Sequence, residues 1–406
     1  MKITISLRKG GAFLLEYSQC DILLFLYMTV ILTHNPVPYL KFILWIACIA
    51  HTLYQWVKVG INQIAFKNVK TVLLWYGVFF VWVYLSKYWA YVQRPDSDIV
   101  SSMVRIFPIC ICIANRITTR TRLNTYIDIF IVSTTYFAII YLATSPLSTW
   151  GTIDMGGITG QWRNFSGHLC GCAAIMSWIV YQLSKRKKYI FCTVICALCV
   201  VLTGSRAALL GLGFMFSVNM MFQKDLVRRS KNLLLLLVLL IVAIYVLFTN
   251  DYLYEIYGSR LVAVFSDSVK DGSRDDRVMY QELGIAMFLQ KPLLGWGMDN
   301  FAYYLHYIGG YSQEVYSHCN YVEILSCYGI IGFVIYYVKY IQSLVIVYRH
   351  RYLDVLMKMF LVVLLRFVVF EYATITFSVY SYVYLLTIVF SGINLLCSDT
   401  LLKECE

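Results

Sequence analysis

Three short polar segments carry residue types that bind anions and transfer protons. They read TGSR at 203–206, SRDDR at 273–277 and SH at 317–318. A guanidinium can bind two phosphate oxygens at once, and the free N–H groups at the start of a helix add to such a site. An imidazole beside positive charge stays neutral and can accept a proton. The segments therefore predict a phosphate site at Arg206 and Arg277, with His318 as a candidate base.

Each residue also has a simpler explanation when it is taken alone. An arginine at the outer end of a membrane span is often an anchor that extends toward lipid phosphates. A single histidine at the membrane interface is more often structural than catalytic. Asn320 and Glu323, in the pattern N-x-x-E at 320–323, are typical of a helix N-terminus and are expected to cap it. The functional interpretation depends on the three segments acting together.

Helix starts are expected at the polar segments. The Gly-Ser pair at 204–205 interrupts an apolar stretch too long for one span, so the chain reverses there and places Arg206 in a first turn. The pattern S-x-x-D at 273–276 resembles a capping box. It predicts a helix over 276–290, ended by the following Lys-Pro pair, with Arg277 in its first turn. A cation in a first turn opposes the helix dipole, so an arginine there favours an anionic ligand.

The composition indicates a polytopic membrane protein. Of the 406 residues, 60% are hydrophobic and 14% are charged, and the mean hydropathy is +0.68. Apolar runs near the ~20 residues that cross a bilayer recur along the whole chain. The net charge of +12 lies in short clusters between these runs, a pattern of membrane orientation and not of nucleic-acid binding. The 13 cysteines are scattered, many of them in apolar runs, and predict neither a disulfide framework nor a zinc site.

The basic clusters and apolar runs together predict a topology. Spans are expected at about 13–32, 40–57, 71–89, 98–115, 126–143, 167–184, 189–204, 205–222, 232–248, 319–347, 358–377 and 379–397. The basic clusters fall on alternate connections, so the positive-inside rule puts both termini in the cytoplasm and all three polar segments outside. The first span is expected to remain uncleaved.

The predicted fold class is an all-α polytopic membrane protein with about 12 transmembrane helices. Residues 1–248 form a transmembrane bundle of spans 1–9. Residues 249–318 form a long outward-facing loop with an interfacial helix, between spans 9 and 10. Residues 319–406 form spans 10–12. The outward loop is rich in aromatic and apolar residues, which favours an ordered and functional segment over a disordered spacer.

The motifs together resemble the O-antigen polymerase and ligase superfamily, integral-membrane glycosyltransferases that include Wzy-type capsule and exopolysaccharide polymerases. The resemblance covers roughly residues 201–333. Its motifs are TGSRAALLGL (203–212), the segment 277–297 with KPLLGWG, and SHCNYVEILSCYGIIGF (317–333). A G-x-x-R-N-F-x-G-H segment at 160–168 is a weaker echo of an outward-loop feature of the family.

The resemblance implies roles for individual residues. Arg206 and Arg277 correspond to the arginines that bind the donor diphosphate, and His318 corresponds to the catalytic histidine. The family usually has a glycine before the loop arginine, whereas Asp276 precedes Arg277 here, so Arg274 is an alternative phosphate ligand.

Four further residues are candidate substrate contacts. Arg163 and His168 lie in the weaker echo segment. Arg105 and Arg366 lie within predicted spans, where a charge must face the bundle interior or an interface. For Arg366, a structural ion pair with Glu371 is an equal alternative.

The activity that the resemblance implies is glycosyl transfer without a metal or another cofactor. A glycan would move from an undecaprenyl-diphosphate-linked donor to a hydroxyl of a lipid-linked acceptor repeat unit. The reaction would occur at the outer (periplasmic) face of the bacterial cytoplasmic membrane, in O-antigen, capsule or exopolysaccharide synthesis. The expected partners are these lipid-linked oligosaccharides and membrane lipid, with a chain-length regulator protein as a candidate and no nucleic acid.

Two alternatives remain. A ligase would use the same chemistry to move finished glycan to lipid A core or to a protein. A flippase for lipid-linked oligosaccharide belongs to a different class. The absence of a visible internal repeat in the sequence, and the concentration of polar groups on the outward side instead of the membrane midplane, disfavour a transporter.

Overall fold

The computed structural model describes residues 13–33, 38–94, 97–152, 154–223, 272–312 and 314–403, together with scattered positions between 225 and 258. Within these residues the regular elements are helical. The α-helices are α1 (Gln19–Thr33), α2 (Pro38–Val59), α3 (Gln63–Val72), α4 (Val78–Leu85), α5 (Asp98–Arg116), α6 (Arg120–Thr144), α7 (Arg163–Ser184), α8 (Lys187–Leu202), α9 (Arg206–Met221), α10 (Gly272–Gln290), α11 (Asn300–Tyr303), α12 (Asn320–His350), α13 (Val355–Phe370) and α14 (Tyr380–Lys403).

A helix occurs at each predicted span except 232–248, which lies largely outside the described residues. In the described part of the chain, six helical segments are long and apolar enough to cross a membrane. They are Tyr39–Val59, Gln63–Tyr88, Asp98–Arg116, Arg120–Thr144, Asn320–His350 and Tyr380–Ser398. The protein is therefore a multi-pass membrane protein built from helices. The count of about 12 spans and the orientation of the loops stay predictions.

The chain forms two compact units, each assembled from three segments. Unit 1 comprises Met1–Ile46, Asn124–Asp271 and Val347–Arg366. Unit 2 comprises Ala47–Leu123, Gly272–Ile346 and Phe367–Glu406. The predicted division of the chain at 248 and 318 concerns membrane topology and stays a prediction.

In unit 1, α7 packs closely against α8 and α9 because small residues line it. A Cβ atom on Gly171 would lie 3.5 Å from Cε of Met215 in α9. A Cβ atom on Gly167 would lie 2.7 Å from Cβ of Ala208, in the first turn of α9. Small side chains allow helix backbones to approach in this way. The start of α9, which carries Arg206, is therefore held against the beginning of α7.

A buried carboxylate joins other elements of unit 1. Asp128 of α6 accepts hydrogen bonds from the Tyr189 hydroxyl at 2.5 Å, from Lys188 Nζ at 2.7 Å and from the Tyr17 hydroxyl. Asp128 is almost fully buried, so a carboxylate there requires these donors. The cluster ties the start of α8 and the residues before α1 to α6.

In unit 2, interhelical hydrogen bonds connect α3, α5 and α14. Asn394 Nδ2 donates to Thr71 Oγ1 at 2.9 Å and to Asn68 Oδ1 at 3.2 Å. Asn68 Nδ2 donates in turn to the carbonyl oxygen of Ile117 at 2.8 Å. Such bonds satisfy polar groups that a surrounding bilayer could not.

Helix α12 is interrupted, although the sequence predicts a continuous span over 319–347. Gly329 has φ 66° and ψ −173°, a conformation that is essentially restricted to glycine. The helical hydrogen-bond pattern is broken at this residue, ten positions into the candidate span.

Candidate functional site

The TGSR segment forms the turn that the sequence predicts. Helix α9 begins at Arg206, and the side chain of Ser205 caps it by accepting a hydrogen bond from the N–H of Ala208 at 3.4 Å. Gly204 has φ 63°, and a Cβ atom there would lie 2.5 Å from the carbonyl oxygen of Gly151. Arg206 therefore occupies the first turn of α9, as predicted, and its side chain is half-buried.

The loop before α7 contacts this turn. The N–H of Gly151 donates to the carbonyl oxygen of Leu202 at 2.9 Å. Arg163, the first residue of α7, donates from Nη1 to the carbonyl oxygen of Gly151 at 2.8 Å. Two arginines of unit 1, Arg163 and Arg206, thus begin helices that pack against each other. Positive helix ends and guanidinium groups in one neighbourhood favour an anionic ligand.

His168, predicted from the same echo segment as Arg163, lies one helical turn further along α7. It is 2% exposed. A buried imidazole inside a packed helix is poorly placed to touch a polymeric glycan, so its role as a substrate contact stays a prediction without geometric support.

Helix α10 confirms that the predicted long loop contains a helix, which begins earlier than expected. Its interfacial position stays a prediction. The helix runs over Gly272–Gln290, so its end agrees with the predicted Lys-Pro stop. Ser273 lies inside the helix, and the predicted capping box with Ser273 as its cap is wrong. Arg277 consequently falls in the second turn. Arg274 lies in the first turn, and its side chain is outside the described residues.

His318 stands just before α12 with its ring between two tyrosines of unit 2. Its ring centroid is 6.0 Å from that of Tyr280, with the planes 17° apart, and 4.2 Å from that of Tyr316, with the planes 43° apart. The backbone of His318 has φ 58°, which is uncommon for a residue with a side chain. The side chain is half-buried.

The environment keeps His318 neutral. The pKa of His318 is lowered from its ordinary 6.5 to about 4, mainly by burial and then by the charge of the Arg277 guanidinium, while the Asp276 carboxylate opposes the decrease. Arg277 and Asp276 lie on α10, three and four residues before Tyr280, whose ring stacks on that of His318. At neutral pH the ring therefore has a free lone pair that can accept a proton.

Hydrogen bonds between side chains and backbone groups hold the residues around His318. The carboxylate of Glu323 accepts from the N–H of Ser317 at 2.8 Å. The hydroxyl of Ser317 accepts from the N–H of Cys319 at 3.3 Å and donates to its carbonyl oxygen at 2.9 Å. Glu323 thus reaches back from the first turn of α12 to the residue before His318, so it holds the segment before the helix and does not cap a helix N–H group.

Asn320 does not cap the helix, which corrects the simple reading of the N-x-x-E pattern. Its Oδ1 accepts from the N–H of Thr376 at 2.9 Å and from the N–H of Phe377 at 3.3 Å. Its Nδ2 donates to the Tyr337 hydroxyl at 2.7 Å and to Glu371 at 3.2 Å. The first residue of α12 is therefore anchored to the turn that follows α13.

Glu371 is a structural centre of this region. It is fully buried and accepts hydrogen bonds from four side chains: Asn320, Tyr337, Tyr340 and Thr376. Four donors match the acceptor capacity of an ionised carboxylate. The sequence indicated only that a carboxylate in an apolar stretch must find partners. It did not identify which hydroxyl and amide groups would meet it.

The two remaining predicted contacts lie on α5 and α13. Arg105 is exposed on α5, where Nη2 donates to the hydroxyls of Ser101 at 3.3 Å and Ser102 at 3.5 Å. Arg366 of α13 is fully buried. Their assignment as substrate contacts stays a prediction.

Unit 1 thus contains an arginine pair, and unit 2 contains an arginine near a histidine. Among the described residues, no group of three or more His, Cys, Asp or Glu side chains is arranged to hold a metal ion. Guanidinium groups and a neutral imidazole are suited to reactions in which an anionic group leaves and a hydroxyl loses its proton.

A multi-pass helical membrane protein with these groups is suited to chemistry on an anionic substrate. Residues 191–337 match the family model Wzy_C, described as O-antigen ligase. The match extends from α8 into α12 and includes Arg206, Arg277 and His318. It supports membership in the O-antigen polymerase and ligase superfamily, so the resemblance predicted from the motifs is confirmed over these residues. The comparison with curated proteins gives no match.

Proposed function

We propose that this chain is a polysaccharide polymerase acting at the outer face of the cytoplasmic membrane. It transfers a glycan from an undecaprenyl-diphosphate-linked donor to the hydroxyl of a lipid-linked acceptor repeat unit. The observation that carries the proposal is the neutral, half-buried His318 beside Arg277. Glycosyl transfer from a diphosphate requires a proton acceptor for the hydroxyl and a cation for the leaving group.

In the proposed reaction, Arg206 and Arg277 bind the diphosphate oxygens of the donor. A ring nitrogen of His318 takes the proton of the acceptor hydroxyl. The hydroxyl oxygen forms a bond to the anomeric carbon, and the bond from that carbon to the phosphate oxygen breaks. The electron pair of the broken bond leaves with undecaprenyl diphosphate. A single displacement inverts the anomeric centre, and the two arginines neutralise the leaving group without a metal.

Donor binding would also strengthen the base. A pKa of about 4 leaves His318 unprotonated, but it makes the ring a weak proton acceptor in the free protein. A diphosphate bound at Arg277 would offset the guanidinium charge that lowers this pKa. The pKa would then rise toward neutrality only when the donor is in place, which restricts proton transfer to the loaded site.

The charge distribution supports the outward location. The basic clusters Lys185 to Lys188 and Arg349 to Arg351 flank helices whose opposite ends carry the candidate residues. By the positive-inside rule these clusters face the cytoplasm. Arg206 and His318 therefore face outward in this proposal, where assembled lipid-linked units are used.

A ligase is the second candidate function, and the description of the matched family favours it. Ligase and polymerase share donor, leaving group and base, so Arg206, Arg277 and His318 would keep their roles. The two differ only in the acceptor, which is lipid A core or a protein for the ligase and another lipid-linked unit for the polymerase.

Analysis of the glycolipids in a deletion strain tests the proposal. Single repeat units on undecaprenyl diphosphate, facing outward, are expected to accumulate. Full-length polymer on undecaprenyl diphosphate would instead indicate a ligase, and inward-facing single units would indicate a flippase.

The deletion strain is then complemented with wild type, His318→Ala and, as a matched control, His350→Ala at the opposite end of α12. Wild type and His350→Ala are expected to restore polymer. His318→Ala should insert normally in the membrane and leave single units unpolymerised. Polymer of wild-type length in His318→Ala would refute the assignment of the base.

A further inference from the structure

The break in α12 leaves four backbone groups without their helical partners. In a continuous α-helix each N–H donates to the carbonyl four residues earlier. At Gly329 this pattern fails for the N–H groups of Ile330 and Ile331 and for the carbonyls of Ser326 and Cys327. Unsatisfied backbone groups inside a membrane span are costly, so each of them needs another partner.

The KPLLGWG segment, residues 291–297, supplies all four partners. The N–H of Ile330 donates to the carbonyl oxygen of Pro292 at 2.8 Å, and that of Ile331 donates to Leu293 at 3.5 Å. In the opposite direction, the N–H of Trp296 donates to the carbonyl oxygen of Ser326 at 2.8 Å. The N–H of Gly297 donates to the carbonyl oxygen of Cys327, also at 2.8 Å. Each of the two donors and two acceptors that lack a helical partner therefore has a partner in the KPLLGWG segment.

The same segment is tied to the end of α10. The indole Nε1 of Trp296 donates to the carbonyl oxygen of Met287 at 2.7 Å. The ammonium group of Lys291 lies 4.2 Å from the centre of the Trp296 ring, a cation–π contact. The segment thus links the last turns of α10 to the middle of α12.

Helix α10 also runs along the first part of α12 in a regular register. The Tyr280 ring contacts the His318 ring, and a Cβ atom on Gly284 would lie 2.2 Å from Cγ1 of Val322. The contact through Met287 and Trp296 then reaches Ser326. Positions 280, 284 and 287, which share one face of α10, are therefore joined in order to His318, to Val322 and, through Trp296, to Ser326. A shift of α10 along its axis would break every step of this register.

We propose that the KPLLGWG segment seated in the Gly329 break is an interlock that sets Arg277 against His318. Arg277 lies ten residues before Met287 on α10, and His318 lies two residues before the start of α12. The interlock fixes the axial position of one helix relative to the other. Gly329 is accordingly a positioning residue for the proposed glycosyl transfer, and this role rests on the proposed function.

Only glycine can occupy position 329 in this arrangement. A Cβ atom there would lie 2.2 Å from the carbonyl oxygen of Leu293, and the backbone conformation is one that residues with side chains avoid. Gly329→Ala therefore displaces the KPLLGWG segment or reforms the helix, and either change releases the interlock. Gly213→Ala is the matched control, because a Cβ atom on Gly213 meets nothing within 4 Å.

The experiment uses the full-length protein in detergent and the lipid-linked repeat unit extracted from the deletion strain. Hydrogen–deuterium exchange of the peptide over 291–299 reports directly on the interlock. In Gly329→Ala, faster exchange of this peptide is expected, with a decrease in kcat of about 10²-fold, the size of effect that a displacement near 1 Å produces. Gly213→Ala is expected to match wild type in both measurements.

The pH profile separates positioning from a general loss of structure. With Arg277 displaced from His318 and the imidazole less buried, the acidic limb of kcat/KM in Gly329→Ala should move upward from near 4 toward the ordinary 6.5. Trp296→Phe is the milder second variant, because it removes the indole hydrogen bond to Met287 but keeps the backbone N–H that donates to Ser326. It should shift kcat and the acidic limb in the same directions by smaller amounts.

Unchanged exchange at 291–299 in Gly329→Ala would overturn the interlock. If Gly329→Ala shows faster exchange but keeps wild-type turnover and the wild-type acidic limb of kcat/KM, the positioning role of Gly329 would be overturned. His318→Ala, measured in parallel, tests the proposed function separately. Wild-type turnover in that variant would refute the base while leaving the exchange result as evidence on the interlock.

Discussion

The basic groups of the two units are presented in different ways. In unit 1, Arg163 and Arg206 each begin a helix, and those helices pack against each other near their starts. In unit 2, Arg277 lies in the second turn of α10, close enough to His318 to lower the pKa of the imidazole.

This difference separates two kinds of chemistry. Guanidinium groups at helix starts provide fixed positive charge that favours binding of an anion, whether substrate or product. An imidazole that is half-buried beside a cation is neutral at the working pH and can change its protonation state during a reaction. We expect unit 1 to contribute mainly to donor binding and unit 2 to proton transfer.

The largest effect is expected for His318→Ala. Loss of a general base should lower kcat by about 10²–10⁴-fold and leave the KM for the donor nearly unchanged. Steady-state turnover of the extracted lipid-linked unit by purified protein measures both constants. A higher KM with unchanged kcat would mean that His318 binds substrate. The assignment of proton transfer to unit 2 would then be wrong.

A smaller effect is expected for Arg206→Lys in unit 1. Lysine keeps the charge but cannot bind two oxygens in the fork geometry of arginine. Loss of one charge-assisted hydrogen bond of about 1.5–3 kcal/mol should lower kcat/KM by about 10- to 100-fold. Arg349→Lys is the control and should retain wild-type kinetics, because Arg349 is exposed in the last turn of α12, far along that helix from its start near His318. Unchanged kinetics in Arg206→Lys would mean that Arg206 acts only as an interfacial anchor.

Glu371→Gln tests how much the Glu371 hydrogen-bond cluster stabilises the part of unit 2 that carries His318. The substitution places an NH₂ group against side chains that donate to Glu371, so at least one hydrogen bond is lost and a buried donor remains unsatisfied. We expect a loss of about 1–3 kcal/mol in the free energy of unfolding, measured by thermal unfolding in detergent. Glu282→Gln, an exposed carboxylate on α10, should have no comparable effect. Equal stability of the two variants would show that the Glu371 cluster does not support α12.

The smallest effect is a shift in pH dependence. His318 has a folded pKa of about 4, below its ordinary 6.5, so the acidic limb of kcat/KM should lie near pH 4. The neutral ring contributes stability that is complete above pH 6.5 and is lost as the pH falls through 4. Asp276→Asn removes a charge that stabilises the imidazolium and should move the acidic limb to lower pH. Arg277→Ala removes a charge that destabilises the imidazolium and should move the limb to higher pH. Shifts in the opposite directions would contradict the electrostatic account of the site.

Local sequence signals predicted a large part of the fold. Apolar run lengths located the helices, and the Gly-Ser pair placed the turn before Arg206 because a capping serine acts on its own neighbours. The Lys-Pro pair ended α10 where expected, and Glu323 turned back to the N–H of Ser317. Each of these signals acts within a few residues, so it can be identified without knowledge of the tertiary structure.

Other features depended on residues far apart in the chain. Asn320 has the sequence position of a helix cap but bonds to Thr376 and Glu371 instead. The sequence around Gly329 indicates a continuous apolar span. The KPLLGWG segment that replaces the lost helical hydrogen bonds comes about 30 residues earlier, so the local sequence gives no sign of the break. Burial of His318 between Tyr280 and Tyr316 also requires α10 to lie along α12.

The sequence by itself determined a helical membrane protein, its superfamily motifs and the residue types able to bind a diphosphate and accept a proton. Those properties follow from composition, run length and local capping. The tertiary structure decided that α12 is broken at Gly329, that the KPLLGWG segment completes it, and that Arg277 and Asp276 set the charge around His318. Backbone hydrogen bonds and pKa values depend on what lies across space from a group, and the order of residues alone does not specify those neighbours.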